Sequence, residues 1–452
     1  MRPPRNDIEY KMQTKNTSQS PQLKISLQVA QNGTDFVGIK ITQTERLVVF
    51  PMGYDLSLPQ NSQISKLERK QILNLINAIN QCTVNKKGEK VSIVNGKNDA
   101  TFPLKSIFYI IEDFLERQTY YTEKEILYTK QNSGKIHFPK TIKHIKPTVS
   151  SKGIAFLDFI VRKNRIQENS LITELHKYCV YKCFSLFGFL YTSILPEIGI
   201  LTESDISKNK KYYTQFLQEK IDTTFKEENI ELFQNMKNVI NNFSLESENI
   251  TATFGTTCFQ VVWESLIDSM FGTVNQQIKA DKFSPTSIWH FADGSRPKTN
   301  APLRPDTIML QNGKCFIIDS KYYSYSMLKE IIFSEDSSDS FLIHGSIPGT
   351  DSIQKQITYA QYLDADIAHS NACTRKNYRF NHKDIFNIFI LPANNTTEKL
   401  RYIASASTFW HDNTKNYHTI HALTLDTKFV LENKGRKCKE LTDELIKLVQ
   451  CP

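Results

Sequence analysis

The sequence predicts a multidomain α/β protein. Its C-terminal core is a central mixed sheet flanked by helices, preceded by a mixed α+β N-terminal region and a helical connector. Three observations carry that expectation. The chain has 452 residues, too many for one ordinary core. Apolar residues recur with strand spacing in some segments and helix spacing in others, and from about residue 250 the two patterns alternate. The dipeptide Asn312-Gly313 stands between two apolar runs, the strongest short-range signal for a β-hairpin.

The elements follow in order. Residues 1–22 are polar, rich in Pro, Asn, Gln and Ser, and read as a flexible lead-in. From Leu23, LKISLQVA and DFVGIKITQTERLVVFP are short β-branched and aromatic runs broken by turn residues, as in a small sheet. Ser65–Cys82 places Leu67, Ile72, Leu75, Ile76 and Ile79 at helical spacing. A lysine-bearing turn, NKKGEK, leads to a short strand at VSIV and a second helix near Leu104–Arg117. Residues 154–161 are strand-like, and the chain is then helical from about Glu168 to Phe243. The expected domains are therefore 23–165, a connector 166–247, and a C-terminal domain 248–452. In that last domain Phe254–Phe271 and Ser352–Leu363 read as helices, Arg304–Tyr323 as a strand pair, Ile385–Pro392 and Tyr417–Leu425 as strands, and Asp443–Val449 as a final helix.

Composition, 40% hydrophobic and 23% charged, excludes collagen-like and disordered classes. A net charge of +9 suits a polyanionic partner without identifying one. The eight cysteines are scattered, with no CxxC pair, as expected in a reducing compartment. His176, Cys179 and Cys183 share a helix face but have no fourth ligand nearby, which favours core packing over zinc. The N-terminus has no apolar signal region. The longest apolar stretch, Phe184–Leu195, is too short to span a bilayer. No membrane association and a cytoplasmic location are expected.

The chemistry concentrates in LRPDTIMLQNGKCFIIDSKYY. A two-residue loop at Asn312-Gly313 pairs Gln311 with Lys314, and counting outward along both strands brings Asp306 opposite Asp319. Directly opposed side chains lie about 5 Å apart at Cβ. Lys321, two residues beyond Asp319, falls on the same face by strand alternation. Two carboxylates so close repel, and a divalent cation between them removes the repulsion. Hard oxygen ligands with open positions suit Mg²⁺, with Mn²⁺ able to substitute. Such an ion can polarise a phosphodiester and activate water, while Lys321 orients the water or neutralises the reacting phosphate. The alternative, a surface ion pair, fits poorly with an acid that directly follows the apolar run Cys315–Ile318.

Other residues join with less specificity. Glu264 borders the apolar stripe of Phe259, Trp263, Leu266 and Met270, where it either caps a core polar network or reaches a metal. The hairpin downstream favours the metal. Lys355, Gln356 and Tyr359 stand near the start of a helix. Gln356 there either bonds a phosphate or the attacking water, or belongs to a solvated turn. The basic run at 133–147, with Lys135, Lys140, Lys143 and Lys146, is either a phosphate-tracking segment or a solvated loop. Arg375, Lys376 and Arg379 interleave with aromatics as in strand-binding segments, though a solvated loop is the preferred reading.

Pro305-Asp306 followed by Asp319-Ser320-Lys321, after a helix carrying Glu264, resembles the PD-(D/E)xK nucleases. The fuller set of segments resembles the LlaJI family of restriction endonucleases, itself similar to the McrC nuclease subunit. The segments are FVGIKI, SGKIHFPKTI, ITELHKYCV, FGTTCFQVVWE, LRPD, IIDSKYY and KQITY, in order from about residue 30 to 360. The resemblance implies metal binding by Asp306, Asp319 and Glu264, catalysis by Lys321, and hydrolysis of double-stranded DNA. It also implies recognition or partner docking by the N-terminal half. Ser320 departs from the more usual Ala or Thr.

The resemblance leaves two enzymatic readings. One is a restriction endonuclease that finds its own site, accompanied by a cognate DNA methyltransferase and dimerising on DNA. The other is an McrC-like subunit that cuts only with a McrB-like GTPase. No G-x-x-x-x-G-K-[ST] loop occurs in the sequence, so any nucleotide-driven step belongs to another chain. A catalytically inactive DNA-binding module is the reading from a different class.

Overall fold

The structure is a computed structural model. It describes residues 24–42, 44–56, 65–85, 103–131, 133–151, 153–167, 169–192, 195–242, 252–285, 289–295, 303–323, 328–332, 340–344, 347–365, 378–395, 397–408 and 417–450. Contacts divide the chain into two units: Met1–Gln19 with Asp99–Thr251, and Ser20–Asn98 with Ala252–Pro452. This differs from the expected linear partition at 22/23, 165/166 and 247/248. Segment 24–85 contributes strands β1 (Lys24–Val29), β2 (Val37–Ile41) and β3 (Glu45–Phe50) and helix α1 (Lys66–Asn85). Their sheet is completed by a strand more than two hundred residues away, so the small N-terminal sheet belongs with the C-terminal segment.

The first unit begins with α2 (Leu104–Arg117) and continues through β4 (Glu123–Lys130), β5 (Lys135–Ile136), α3 (Phe138–His144), β6 (Thr148–Ser150), β7 (Gly153–Ala155) and β8 (Ile160–Gln167). Helices α4 (Leu171–Phe187), α5 (Glu203–Lys208), α6 (Lys210–Thr223) and α7 (Glu227–Asn242) follow. Its core lies among α2, α4 and α7. Phe114 meets Phe184 edge-on at 5.6 Å, and Phe108 meets Phe187 at the same distance, a geometry favoured by the ring quadrupoles. His176, Cys179 and Cys183 of α4 are buried here. His176 Nδ1 accepts the Tyr121 backbone N–H at 2.9 Å, and burial holds its pKa down at about 3. The run 133–147 is not simply a loop: it forms β5 and α3. The strand signal at VSIV lies outside the described residues.

The second unit resumes with β9 (Ala252–Thr256), antiparallel to β2, in a sheet ordered β1-β3-β2-β9. Residues 254–256 therefore correct the expected helix from Phe254. Their apolar character serves a strand, and Gly255 is required because a Cβ there would come within 2.4 Å of Phe36 and Val37. Helix α8 (Phe259–Phe271) starts after this strand, and α9 (Gln276–Lys282) follows it. Next come β10 (Thr307–Gln311), β11 (Lys314–Ser320), β12 (Leu328–Ile332), β13 (Ser340–His344) and α10 (Thr350–Leu363). The chain ends with β14 (Ile385–Ala393), β15 (Leu400–Thr408), β16 (Tyr417–Asp426), α11 (Thr427–Asn433) and α12 (Lys439–Gln450).

The central sheet has the order β10-β11-β14-β16-β15. Strands β11, β14 and β16 are parallel and the edge strands antiparallel, a mixed sheet. Parity separates its faces. On one, Ile308, Cys315, Ile317 and Ile385 pack with Tyr359, Ala360 and Leu363 of α10. Phe389 and Ile420 continue that face against Ile357. On the other, Tyr322 lies against Phe259 and Trp263 of α8, at 5.3 and 6.4 Å between ring centres. No helix among the described residues is long and apolar enough to cross a membrane.

Candidate active site

The hairpin fixes the site. Asn312 and Gly313 both take positive φ, 52° and 74°, as a two-residue type I′ turn demands. Gln311 pairs with Lys314 and Thr307 with Ile318, so the next step out sets Asp306 across from Asp319. The Ser320 backbone N–H donates to Asp306 Oδ2 at 2.9 Å. Lys321 Nζ reaches Asp319 Oδ2 at 2.9 Å and lies 5.5 Å from the centre of the Phe389 ring. The Lys321 backbone N–H donates to the Ile390 carbonyl at 2.9 Å, holding the chain to β14 just past the end of β11.

The electrostatics match this proximity. Burial, the charge of Asp319, a hydrogen bond shared with Asp319 and the charge of Glu264 push the Asp306 pKa well above the usual carboxylate range. The physical content is that two anions held together by a turn cannot both ionise cheaply. The Tyr359 phenol of α10 is also raised, by burial and then by the charges of Asp319 and Asp306. Tyr323 is raised by burial and by Asp319 and Asp351. On the backbone side, buried Lys279 of α9 joins the Asp306 carbonyl at 2.5 Å to Asp268 Oδ1 at 2.8 Å. This ion pair anchors the approach to β10.

Glu264 lies close enough to act on Asp306 through charge. Among the described residues, no group of three or more His, Cys, Asp or Glu side chains stands close enough together to hold a metal ion. Helix α10 begins at Thr350, two residues before the expected start, which puts Gln356 in its second turn. Gln356 is fully buried, correcting the solvated-turn alternative, and neither Nε2 nor Oε1 has a hydrogen-bond partner among the described residues. Lys355 is exposed. Arg379 is engaged by Tyr362, bonding its carbonyl and lying over its ring. Arg375 and Lys376 lie outside the described residues. Lys135, Lys140, Lys143 and Lys146 belong to the other unit.

Sequence reasoning missed Asn387. It sits on β14 opposite Ile317 and Ile420, on the face that carries Asp319. It is fully buried, with both side-chain polar atoms unbonded among the described residues. The signal was present as the lone polar residue in IFNIFIL.

The fold and site define an α/β protein whose central sheet presents two opposed aspartates and a lysine at one strand end. The LlaJI restriction endonuclease family model matches residues 36–421, and the chain belongs to that family. It is 26% identical over 303 residues to the type II restriction enzyme BsuMI component YdjA of Bacillus subtilis (strain 168), covering 63% of this chain and 57% of that protein. The chain thus spans a little over half the length of this relative. A half-complex of Thermococcus gammatolerans McrB AAA+ hexamers with bound McrC aligns over 91% of this chain and 82% of that one, with 12% identity and a TM-score of 0.30.

Proposed function

We propose that this chain hydrolyses phosphodiester bonds of double-stranded DNA in a Mg²⁺-dependent reaction of the PD-(D/E)xK type, as the nuclease of a restriction-modification system. The observation that carries the reading is the facing pair Asp306 and Asp319 with Lys321 bound to the second acid. The donors fit a hard divalent ion. They are carboxylate oxygens; burial and then the charge of Asp319 raise the Asp306 pKa, and a cation relieves the repulsion between the two acids. Asp306 and Asp319 would hold the ion, with Glu264 adding negative charge nearby. An ion held there would supply Lewis acidity to the phosphodiester and would favour deprotonation of the attacking water.

The protein's own groups supply the rest. Lys321, already ion-paired with Asp319, orients the attacking water or balances charge on the phosphate as the nucleophile arrives. Gln356 lies buried on the helix that covers this face, its amide without a hydrogen-bond partner among the described residues, and would bond water or phosphate. Purified protein given Mg²⁺ and duplex DNA is expected to cut. Asp319→Ala and Lys321→Ala should each lower the rate by about a hundredfold or more while duplex binding stays measurable. Native-rate cutting by Asp319→Ala would remove the assignment.

A second reading concerns the partner. The Bacillus relative is named as a component of a restriction enzyme, and this chain has no phosphate-binding NTPase loop. As such a component it would cut only when combined with another chain, a McrB-like GTPase being the expected one. Cutting by the purified chain alone, without nucleotide, would dismiss this version. A cognate methyltransferase and pairing of two copies on DNA, to cut both strands, belong to the first version.

A further inference from the structure

The first unit carries a three-stranded antiparallel sheet, β4-β8-β5, whose two faces differ in charge. Tyr128 pairs with Arg162, and Arg162 with Lys135, so these three side chains form one row across the sheet. Strand alternation adds Lys124 and Lys130 from β4 to that face. Helix α3 supplies Lys140, whose Nζ lies 3.4 Å from the centre of the Tyr128 ring. Every one of these strand residues is exposed. The acids of β4, Glu123 and Glu125, alternate onto the opposite face. There Glu123 binds Lys220, and Glu125 lies across from Arg165.

One face is therefore cationic and free of strand carboxylates. Lys130 is paired with Asp158 at 2.7 Å. Lys124, Lys135, Lys140 and Arg162 form no ion pair among the described residues. Like charges gathered on one exposed face repel, and folding alone gives no reason to place them together. Three strands span about 10 Å between the outer two, close to the roughly 12 Å width of a DNA major groove. The Tyr128 ring is occupied by Lys140 and by the edge of His137 at 4.9 Å, so it is not offered for stacking on a base. That favours a duplex, gripped by its phosphates, over a single strand.

We propose that this face of the β4-β8-β5 sheet, continued by Lys140, is a duplex-DNA-binding surface that holds the phosphate backbone. It deepens the nuclease reading, which supplies DNA as the ligand, and it extends the basic run at 133–147 to Lys124 and Arg162. The test measures binding of the full-length chain to a labelled mixed-sequence duplex in EDTA, across a series of salt concentrations. Lys135→Ala combined with Arg162→Ala should weaken binding about tenfold or more and reduce the salt slope by about two. Lys163→Ala combined with Arg165→Ala removes the same charge from the other face and should leave both quantities near native. Circular dichroism verifies the fold of each variant.

Unchanged affinity in the first pair, equal losses in both pairs, or no duplex binding by the native chain would each overturn the proposal. Without divalent metal the measurement is blind to cleavage. A failure here is thus distinct from a failure of the nuclease reading, which shows as cutting by Asp319→Ala.

Discussion

The backbone N–H of Ser320 donates to Asp306 Oδ2 at 2.9 Å, tying the acid of one hairpin arm to the residue that separates Asp319 from Lys321 on the other. All three candidate site side chains are thereby referred to a single turn. Gly313 holds that turn at φ 74°, and a Cβ there would meet nothing within 4 Å. Gly313→Val should therefore cost backbone strain alone, about 1–3 kcal/mol, seen as a lower melting temperature together with slower cleavage. Asn312→Gly, which keeps positive φ accessible, should leave both near native.

Asp306 is costly to ionise beside Asp319. Asp306→Asn removes that repulsion and should raise the melting temperature in EDTA by a few degrees, for a gain of about 1 kcal/mol. The same substitution should abolish any stabilisation by added Mg²⁺, which acts only on a chain that binds it. Differential scanning fluorimetry with and without the metal reads both effects. A variant less stable than native in EDTA, yet still responsive to Mg²⁺, would contradict this account of the pair.

Gln356 of α10 and Asn387 of β14 are buried, and neither side-chain amide has a hydrogen-bond partner among the described residues. If their purpose were packing, an apolar side chain of similar size would serve better. Gln356→Leu should therefore leave stability unchanged or slightly raised while lowering kcat about tenfold or more. A variant that unfolds, or one that cuts at the native rate, speaks against a role for this amide in the chemistry.

His176 gives the first unit a pH dependence of its own. Burial and the Arg117 charge hold its folded pKa at about 3, below the ordinary 6.5. A depressed value means the folded state binds fewer protons, so this contribution is complete above about pH 6.5. It falls away by up to about 1.4 kcal/mol per pH unit as the pH drops towards 3. Chemical denaturation across that range should show a proton uptake on unfolding that His176→Gln removes.

The hairpin of the candidate site was legible in the sequence because one local feature determines it. An Asn-Gly turn sets the register, and register sets which side chains meet. The central sheet was legible in part: Ile385–Pro392 and Tyr417–Leu425 mark β14 and β16, whereas β15 went unread. What local pattern cannot encode is a partner distant in the chain. Strand β9 read as the start of a helix because only its pairing with β2, and the close approach at Gly255, make it a strand. The same pairing joins the N-terminal sheet to the C-terminal unit, against the linear order. The buried state of Gln356 comes from packing of α10 on the sheet, which its polar neighbours Lys355 and Thr358 concealed.

The most direct test is a crystal soaked with Mn²⁺ and measured for anomalous scattering. A peak at bonding distance from carboxylate oxygens of both Asp306 and Asp319, lost in Asp306→Asn, is the predicted result. Manganese bound elsewhere in the chain, with neither aspartate as a ligand, would contradict it.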